Sequence, residues 1–290
     1  PLGALIVLGV IAALQLFTPL AQGLLQGLRF FAWFAIASVL GAFVRWSTAW
    51  GIAVLGGGVT AVLFAFLLGA VATLGVCLWP VRSSLVTVDA PEVDLKPMTG
   101  YFWRVAAGQI ALFTLINADL ILAPRLLEGE VLAAYGKAAI LARTVIFLPL
   151  PLVAAMFPRA VGSTRWRVVL GPAVAVLVIS SSAALVLWLW PTVWLRLMFG
   201  GFETLAPELL QRYVWAAIPI ALVEILLPWL WARDRLGLAM SAVIPMAVFL
   251  VFLLGLHDAP ERMITAVGGA GWLVLAWLGT GAAMRRLLPN

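Results

Sequence analysis

The chain has 290 residues, of which 64% are hydrophobic and 10% charged, and its mean hydropathy is +1.13. Soluble domains carry about 25% charged residues, so this composition excludes an ordinary soluble fold. A transmembrane β-barrel would need segments of about ten alternating residues, which are absent. We therefore predict an all-α membrane protein, a polytopic helical bundle. The formal charge of +6 does not require a nucleic-acid partner, because basic residues also mark the cytoplasmic loops of membrane proteins.

Nine apolar segments are long enough to span a bilayer, since roughly 20 helical residues cross a hydrocarbon core of about 30 Å. In chain order they are Leu2–Leu24, Phe31–Leu55, Val59–Trp79, Tyr101–Leu122, Val131–Phe157, Val168–Trp190, Leu210–Trp231, Leu236–Leu256 and Met263–Met284. Tight connections are predicted at Gly56–Gly58, Ala123–Glu130 and Arg233–Arg235. The prolines predicted to kink later spans are Pro149 with Pro151, Pro219, Pro228 and Pro245.

The longest polar interval, residues 81–100, divides the chain. It predicts a cytoplasmic linker between a remnant of an N-terminal bundle with about three spans, residues 1–80, and a six-helix bundle, residues 101–290. Because the chain is already hydrophobic at Leu2, we expect earlier helices in the complete protein. Twelve helices in two six-helix bundles would match a two-lobe transporter that works by alternating access.

The basic residues are unevenly distributed between the two sides of the predicted membrane. Eleven Lys and Arg residues flank one set of alternate connections and four flank the other set. The positive-inside rule makes the first set cytoplasmic, so the C-terminus is predicted to be cytoplasmic. The remaining three cations, Arg45, Lys137 and Arg143, fall inside predicted spans.

Arg45 and Arg143 lie about 20 Å and about 18 Å along their predicted helices, near the membrane midplane. Charges at this depth are costly and usually functional, and guanidinium groups suit phosphate oxygens. We predict that both contact an anionic substrate. The alternative is that each arginine binds a carboxylate or a carbonyl within its own bundle. No acidic residue of the hairpin around Ala123–Glu130 is expected to reach Arg143.

Four further polar residues are candidates. Asp119 and Lys137 lie at similar predicted depth, about 6–9 Å below one surface, and could form an ion pair. Lys137 is also a candidate substrate contact, and Asp119 a candidate for ion coupling. Glu224 is the single acidic residue of its predicted span, where it could carry a coupling proton or neutralise an arginine. Gln26 shares a helix face with Gln22 and could line the inner mouth of a cavity or bond between helices.

Several short motifs resemble one family. They are Gln22–Phe30, Arg45, Gly56–Val59, Asn117–Asp119, Ala134–Gly136, Arg143, Phe147–Pro149, Phe157–Pro158 and Phe199–Gly200. Together they resemble the polysaccharide flippases, the Wzx-like branch of the multidrug/oligosaccharidyl-lipid/polysaccharide exporter superfamily. One departure is Ala134, where the family usually has glycine.

This resemblance implies a flippase that moves undecaprenyl-diphosphate-linked oligosaccharide across the bacterial inner membrane, for synthesis of surface polysaccharide such as lipopolysaccharide. It implies two lobes rocking about a basic cavity, with proton or sodium coupling in some members. The partners would be the lipid-linked oligosaccharide, the bilayer and glycan polymerase machinery. No organic cofactor is expected.

Other functions remain open. Drug export and export of peptidoglycan precursors occur in the same superfamily. A glycan polymerase or ligase would need a sizeable extramembrane loop with acid and base groups, and the longest external connection, Pro191–Leu209, offers Glu203 and Glu208 without such a cluster. No nucleotide-binding motif is present, and the lone Cys77 and His257 form no metal motif. We therefore expect a transporter rather than an enzyme.

Overall fold

The computed structural model describes residues 2–82, 96–153, 167–233, 235–255 and 259–287. These residues are largely helical and include no strand. Nine helices of the described part are long and apolar enough to cross a membrane. The predicted fold class, an all-α polytopic membrane protein, is confirmed.

The chain divides into two compact units, Pro1–Val93 and Asp94–Asn290. The first unit contains α1 (Leu2–Gly27), α2 (Phe31–Val54) and α3 (Val59–Leu78), and α3 ends in the short 3₁₀ turn Trp79–Val81. The turn between α2 and α3 lies at the predicted glycines, and Gly56 adopts a φ of +75° that disfavours other residues. Large apolar side chains of all three helices point outward, as suits helices surrounded by lipid or by other helices.

The second unit contains eight helices in the described residues. They are α4 (Lys96–Leu126), α5 (Gly129–Phe147), α6 (Arg167–Leu189), α7 (Pro191–Phe199), α8 (Ala206–Ala232), α9 (Leu236–Met240), α10 (Val243–Gly255) and α11 (Pro260–Leu287). The central helix is α8, which is buried along most of its length and packs against α5, α6 and α11. The core of this unit therefore forms around α8.

Some predicted boundaries were wrong. The predicted turn Ala123–Glu130 shrinks to two residues, because α4 continues to Leu126 and α5 begins at Gly129. The helix α4 also takes in the end of the predicted linker 81–100, of which residues 83–95 lie outside the described part. The short helix α7 was not predicted at all, since a nine-residue helix is too short to carry a spanning signal.

The prolines have different effects. A kink was predicted at Pro149 and Pro151, and the structure instead has a break there: α5 ends at Phe147, Leu148 and Pro149 form a turn, and residues 150–153 are helical again. The eighth predicted span is broken into α9 and α10 just before Pro245, whose ring nitrogen cannot donate a helical hydrogen bond. The helix α8, by contrast, runs without interruption through Pro219 and Pro228. The Phe157–Pro158 motif and His257 lie outside the described residues.

Candidate functional site: a polar cluster and a polar cavity

A polar cluster is buried in the second unit, where it joins α4, α5 and α8. Its centre is the fully buried carboxylate of Asp119 on α4. The hydroxyl groups of Tyr135 on α5 and Tyr213 on α8 both donate to Oδ2 of Asp119, at 2.6 Å and 2.5 Å. Nη2 of Arg143 lies 3.2 Å from Oδ1 and also donates to the carbonyl oxygen of Ile116 at 2.7 Å. We call Asp119, Tyr135, Arg143 and Tyr213 the Asp119 cluster.

The carboxylate of Asp119 is fully satisfied within the Asp119 cluster. Three donors satisfy its two oxygens, and the arginine neutralises its charge, as a buried ion needs. Because the donors come from two different helices, the cluster ties α4 to both α5 and α8. Arg143 is less well satisfied, since its Nε and Nη1 atoms are buried and have no hydrogen-bond partner among the described residues.

The prediction that Asp119 pairs with Lys137 was wrong, and so was the expectation that no acidic residue of the hairpin reaches Arg143. Asp119 binds Arg143. Depth along the membrane normal made the Asp119–Lys137 pair feasible, but the direction in which a side chain leaves its helix decides the partner. Lys137 is two positions from Tyr135, about 200° around α5, and therefore faces away from Asp119. Arg143 is about 80° from Tyr135 and faces the same side.

Lys137 instead fastens the connection between α7 and α8. Its Nζ atom lies 2.9 Å from Oε1 of Glu203 and 3.1 Å from the carbonyl oxygen of Gly201. The hydrogen bond from Lys137 is the main cause of the lowered pKa of Glu203. This connection starts at Gly200, whose φ of +71° ends α7 in the left-handed conformation typical of a C-terminal glycine.

Glu224 lies on the buried side of α8 and is only 7% exposed. Its Oε2 atom has no hydrogen-bond partner among the described residues, and none of the ion pairs found among them includes it. Because Arg143 pairs with Asp119, Glu224 does not neutralise Arg143 in this structure. An ionisable group buried in a span without a partner is a candidate for function, so the proposed role in ion coupling stays a prediction.

A polar cavity of about 250 Å³ lies inside the first unit, among α1, α2 and α3. Its wall includes the amides of Gln15 and Gln22, the guanidinium of Arg45, and hydroxyl groups from each helix. The full set of lining residues is Gln15, Thr18, Gln22, Ser38, Gly41, Ala42, Arg45, Phe66, Gly69, Ala70 and Thr73. Within apolar spans, such a group of donors indicates a site for water or for a polar ligand.

Arg45 is the cation of this cavity. Its guanidinium carbon lies 5.4 Å from the centre of the Phe66 ring, a cation–π distance, and Arg45 forms no ion pair with a described residue. Two glycines allow the helices that flank it to approach each other. A Cβ atom at Gly69 of α3 would lie 2.7 Å from Cβ of Arg45 and 2.9 Å from the carbonyl oxygen of Gly41. The two glycines therefore allow α2 and α3 to pack closely beside Arg45.

The structure distinguishes the two glutamines of α1. Gln22 lines the cavity, and its Nε2 atom lies 3.5 Å from Oγ of Ser38 on α2, which fits a weak bond between helices. Gln26, the predicted substrate contact, is half-buried and is not among the lining residues. Gln22 would have been the better prediction of a cavity residue. Gln22 and Gln26 share one face of α1, and that alone did not establish which turn of the helix lines the cavity.

No protein-family model, curated protein or solved structure matches this chain. The resemblance to the flippases therefore stays a prediction that depends on the residues quoted for it.

Several residues of the Asp119 cluster, the polar cavity and the Lys137 contact were not singled out from the sequence as functional. They are Tyr213, Glu203, Thr73 and Gln15. One usable signal was available for the tyrosines: the chain has three, and two of them, Tyr135 and Tyr213, fall near the same predicted end of their spans. Glu203 had no comparable signal, because it lies in a connection between helices, where no periodic pattern predicts the direction in which a side chain points.

Proposed function

We propose that this chain functions as a flippase that moves undecaprenyl-diphosphate-linked oligosaccharide to the outer leaflet of the bacterial inner membrane. Export would proceed by alternating access and feed glycan polymerase machinery. The chain would be a transporter rather than an enzyme, with a cytoplasmic C-terminus. This proposal joins the multi-pass fold to the motifs that resemble the flippase family.

The observation that carries the proposal is the polar cavity with Arg45 in the first unit. An arginine that lacks an ion pair among the described residues, in a polar cavity within apolar spans, suits an anionic group that must enter the membrane. The volume of about 250 Å³ lies below the range of about 300–1,000 Å³ for drug-sized ligands, so it suits a small group such as a diphosphate. The glycan would need a larger space.

The proposal gives different roles to the two midplane arginines. Arg45 would contact the diphosphate, whereas Arg143 would hold α4, α5 and α8 together through Asp119. Glu224 would remain the candidate for proton or sodium coupling, because Asp119 already has three donors. Lys137 would anchor the connection after α7 rather than bind substrate.

The test is export of lipid-linked glycan in a flippase-null bacterial host that carries the complete gene. Arg45→Ala should lower export roughly 10–100-fold at equal membrane abundance, as expected for the loss of charge-assisted hydrogen bonds. Arg45→Lys should restore part of the rate, because a lysine keeps the charge and loses the planar fork. The matched control is Arg125→Ala, which removes the same charge from an exposed position outside the cavity and should export normally.

Two results would contradict the proposal in different ways. Normal export by Arg45→Ala would show that the cavity is not part of the transport route. Failure of the unmodified protein to export any glycan tested would favour export of drugs or peptidoglycan precursors, which dye-efflux and precursor-flipping assays would then distinguish.

A further inference from the structure

The second unit contains a groove that the proposed transport role does not use. It has a volume of about 610 Å³ and lies between α5, α6 and α7. All but two of its lining side chains are apolar, and the exceptions are the hydroxyl groups of Thr144 and Ser182. Its outer side is open, since Val178 and Leu148 are 57% and 52% exposed. The α5 and α6 segments that line it belong to candidate membrane spans.

The groove runs along α5 and α6 for a length that is close to the thickness of one leaflet. On α6 it extends from Leu187 to Val178, nine residues or about 13 Å. On the opposite wall it extends in the opposite chain direction, from Leu141 on α5 to Leu148 in the turn that follows α5. The hydrogen bond from Ser180 to the carbonyl of Val145, at 2.9 Å, fixes this antiparallel register. One leaflet of the hydrocarbon core is about 15 Å thick, so the groove matches the acyl chain of one phospholipid.

The short helix α7 covers one end of the groove. Trp194 and Met198 line the groove, and the exposed Val193 and Leu197 continue the apolar face of α7. Arg196 lies two residues from both lining side chains, about 200° around the helix, and is therefore on the opposite side. This distribution is typical of helices in the membrane interface, whose apolar face contacts the acyl chains and whose cations lie at headgroup level.

Charge complementarity indicates the headgroup. Near this end of the groove, Lys137 is paired with Glu203, and Arg212 is paired with Glu208. Arg196 contacts the Phe202 ring at 5.6 Å and forms no ion pair with a described residue. It is thus available for the phosphate of a lipid whose chain fills the groove.

We propose that the α5–α6–α7 groove is a binding site for an anionic glycerophospholipid of the bilayer, with an acyl chain in the groove and the headgroup beside Arg196. The occupant is a lipid of the membrane itself, and the site is independent of the proposed transport cavity. A bound lipid would cover the open side between α5 and α6 and hold α7 at the interface.

The test uses the complete protein in phosphatidylcholine vesicles that contain phosphatidylglycerol with a diazirine in one acyl chain. After irradiation, mass spectrometry of peptides should find the label on the α6 stretch 178–187. Ser182→Trp, which fills the middle of the groove, should reduce this labelling to background. Leu177→Trp is the matched control, because Leu177 is 42% exposed on the same helix and does not line the groove. It should be labelled like the unmodified protein.

Two further measurements distinguish a bilayer phospholipid from other occupants of the groove. A diazirine probe on an isoprenoid phosphate should label the groove poorly, and preferential labelling by that probe would overturn the assignment. Cross-links between two copies of the chain through α6 would also overturn it, as would equal labelling of Ser182→Trp and Leu177→Trp. Because labelling of the unmodified protein is informative alone, a folding defect in Ser182→Trp leaves the test intact.

The headgroup contact has its own test. Arg196→Ala should reduce the preference for phosphatidylglycerol over phosphatidylcholine probes by roughly fivefold, the effect expected of one basic residue near a membrane surface. An unchanged preference would overturn the role of Arg196. Glycan export does not enter either measurement, so the outcome is separate from that of the flippase proposal.

Discussion

Replacing Asp119 with alanine tests whether the Asp119 cluster holds the second unit together. In the variant, Arg143 would keep one partner, the Ile116 carbonyl, because its Nε and Nη1 atoms have none among the described residues. The arginine side chain is 8% exposed, so water reaches it poorly. Removing one member of such a buried pair typically costs about 3–5 kcal/mol, because the other charge stays buried. We expect Asp119→Ala to lose about that much stability.

The two tyrosines should contribute less. Tyr213→Phe removes one hydroxyl that bonds between helices and leaves the ion pair in place. Such bonds in membrane proteins contribute about 0.6 kcal/mol on average and up to about 1.7 kcal/mol. Asp119→Ala should therefore be clearly more destabilising than Tyr213→Phe.

The assay is equilibrium unfolding of the purified protein in detergent micelles. The double variant Asp119→Leu with Arg143→Met replaces the ion pair by apolar side chains, and it should recover most of the stability lost in Asp119→Ala. Arg212→Ala is the control, because it breaks an ion pair whose side chains are 55% and 57% exposed and should change stability by less than about 1 kcal/mol.

Two results would refute this reasoning. If Asp119→Ala unfolds like the unmodified protein, the cluster does not stabilise the unit. If the double variant is no more stable than Asp119→Ala, the loss does not come from the unpaired arginine, and Arg143 must act in another way.

Two further predictions concern Glu203 and Gly69. The hydrogen bond from Lys137 lowers the pKa of Glu203 from 4.5, so its stabilising contribution is present above the unfolded pKa and is lost as the pH falls through the lower folded pKa. The stabilities of the unmodified protein and Glu203→Gln, measured in unfolding scans between about pH 3 and pH 7, should therefore become equal at the acidic end, since ordinary Glu pKa values are about 4.3. A difference in stability that stays constant with pH would contradict this. Gly69→Ala should lower both stability and export, because its Cβ would lie 2.7 Å from that of Arg45, whereas Gly75→Ala, with nothing within 4 Å, should be harmless. Equal behaviour of the two alanine variants in unfolding and export assays would argue against the close approach of α2 and α3.

The amino-acid sequence alone determined the class of the fold and most of its spans. Runs of about 20 apolar residues are a local property, since each helix satisfies its own backbone hydrogen bonds in lipid. Glycine and proline likewise act within a turn or two, which is why the Gly56 turn and a disturbance of the helix at Pro149 could be predicted. Two features of the fold were predicted incorrectly for the same reason, that local patterns carry limited information. The helix α7 was missed because it is too short for a spanning pattern, and the break between α9 and α10 was expected only as a kink at Pro245.

Only the tertiary structure decided which polar groups meet. Depth was predicted from residue number, which made a pair between Asp119 and Lys137 feasible. The partners depend also on how each helix is rotated about its own axis and which neighbour it faces, and this is fixed by packing across the whole unit. That packing brings Asp119 to Arg143 and to Tyr213, 94 residues away, and it brings Lys137 to Glu203 in a connection without any periodic signal. The cavity around Arg45 likewise depends on the close approach of α2 and α3 at Gly41 and Gly69, beside which α1 supplies further lining residues, and no single segment encodes this arrangement.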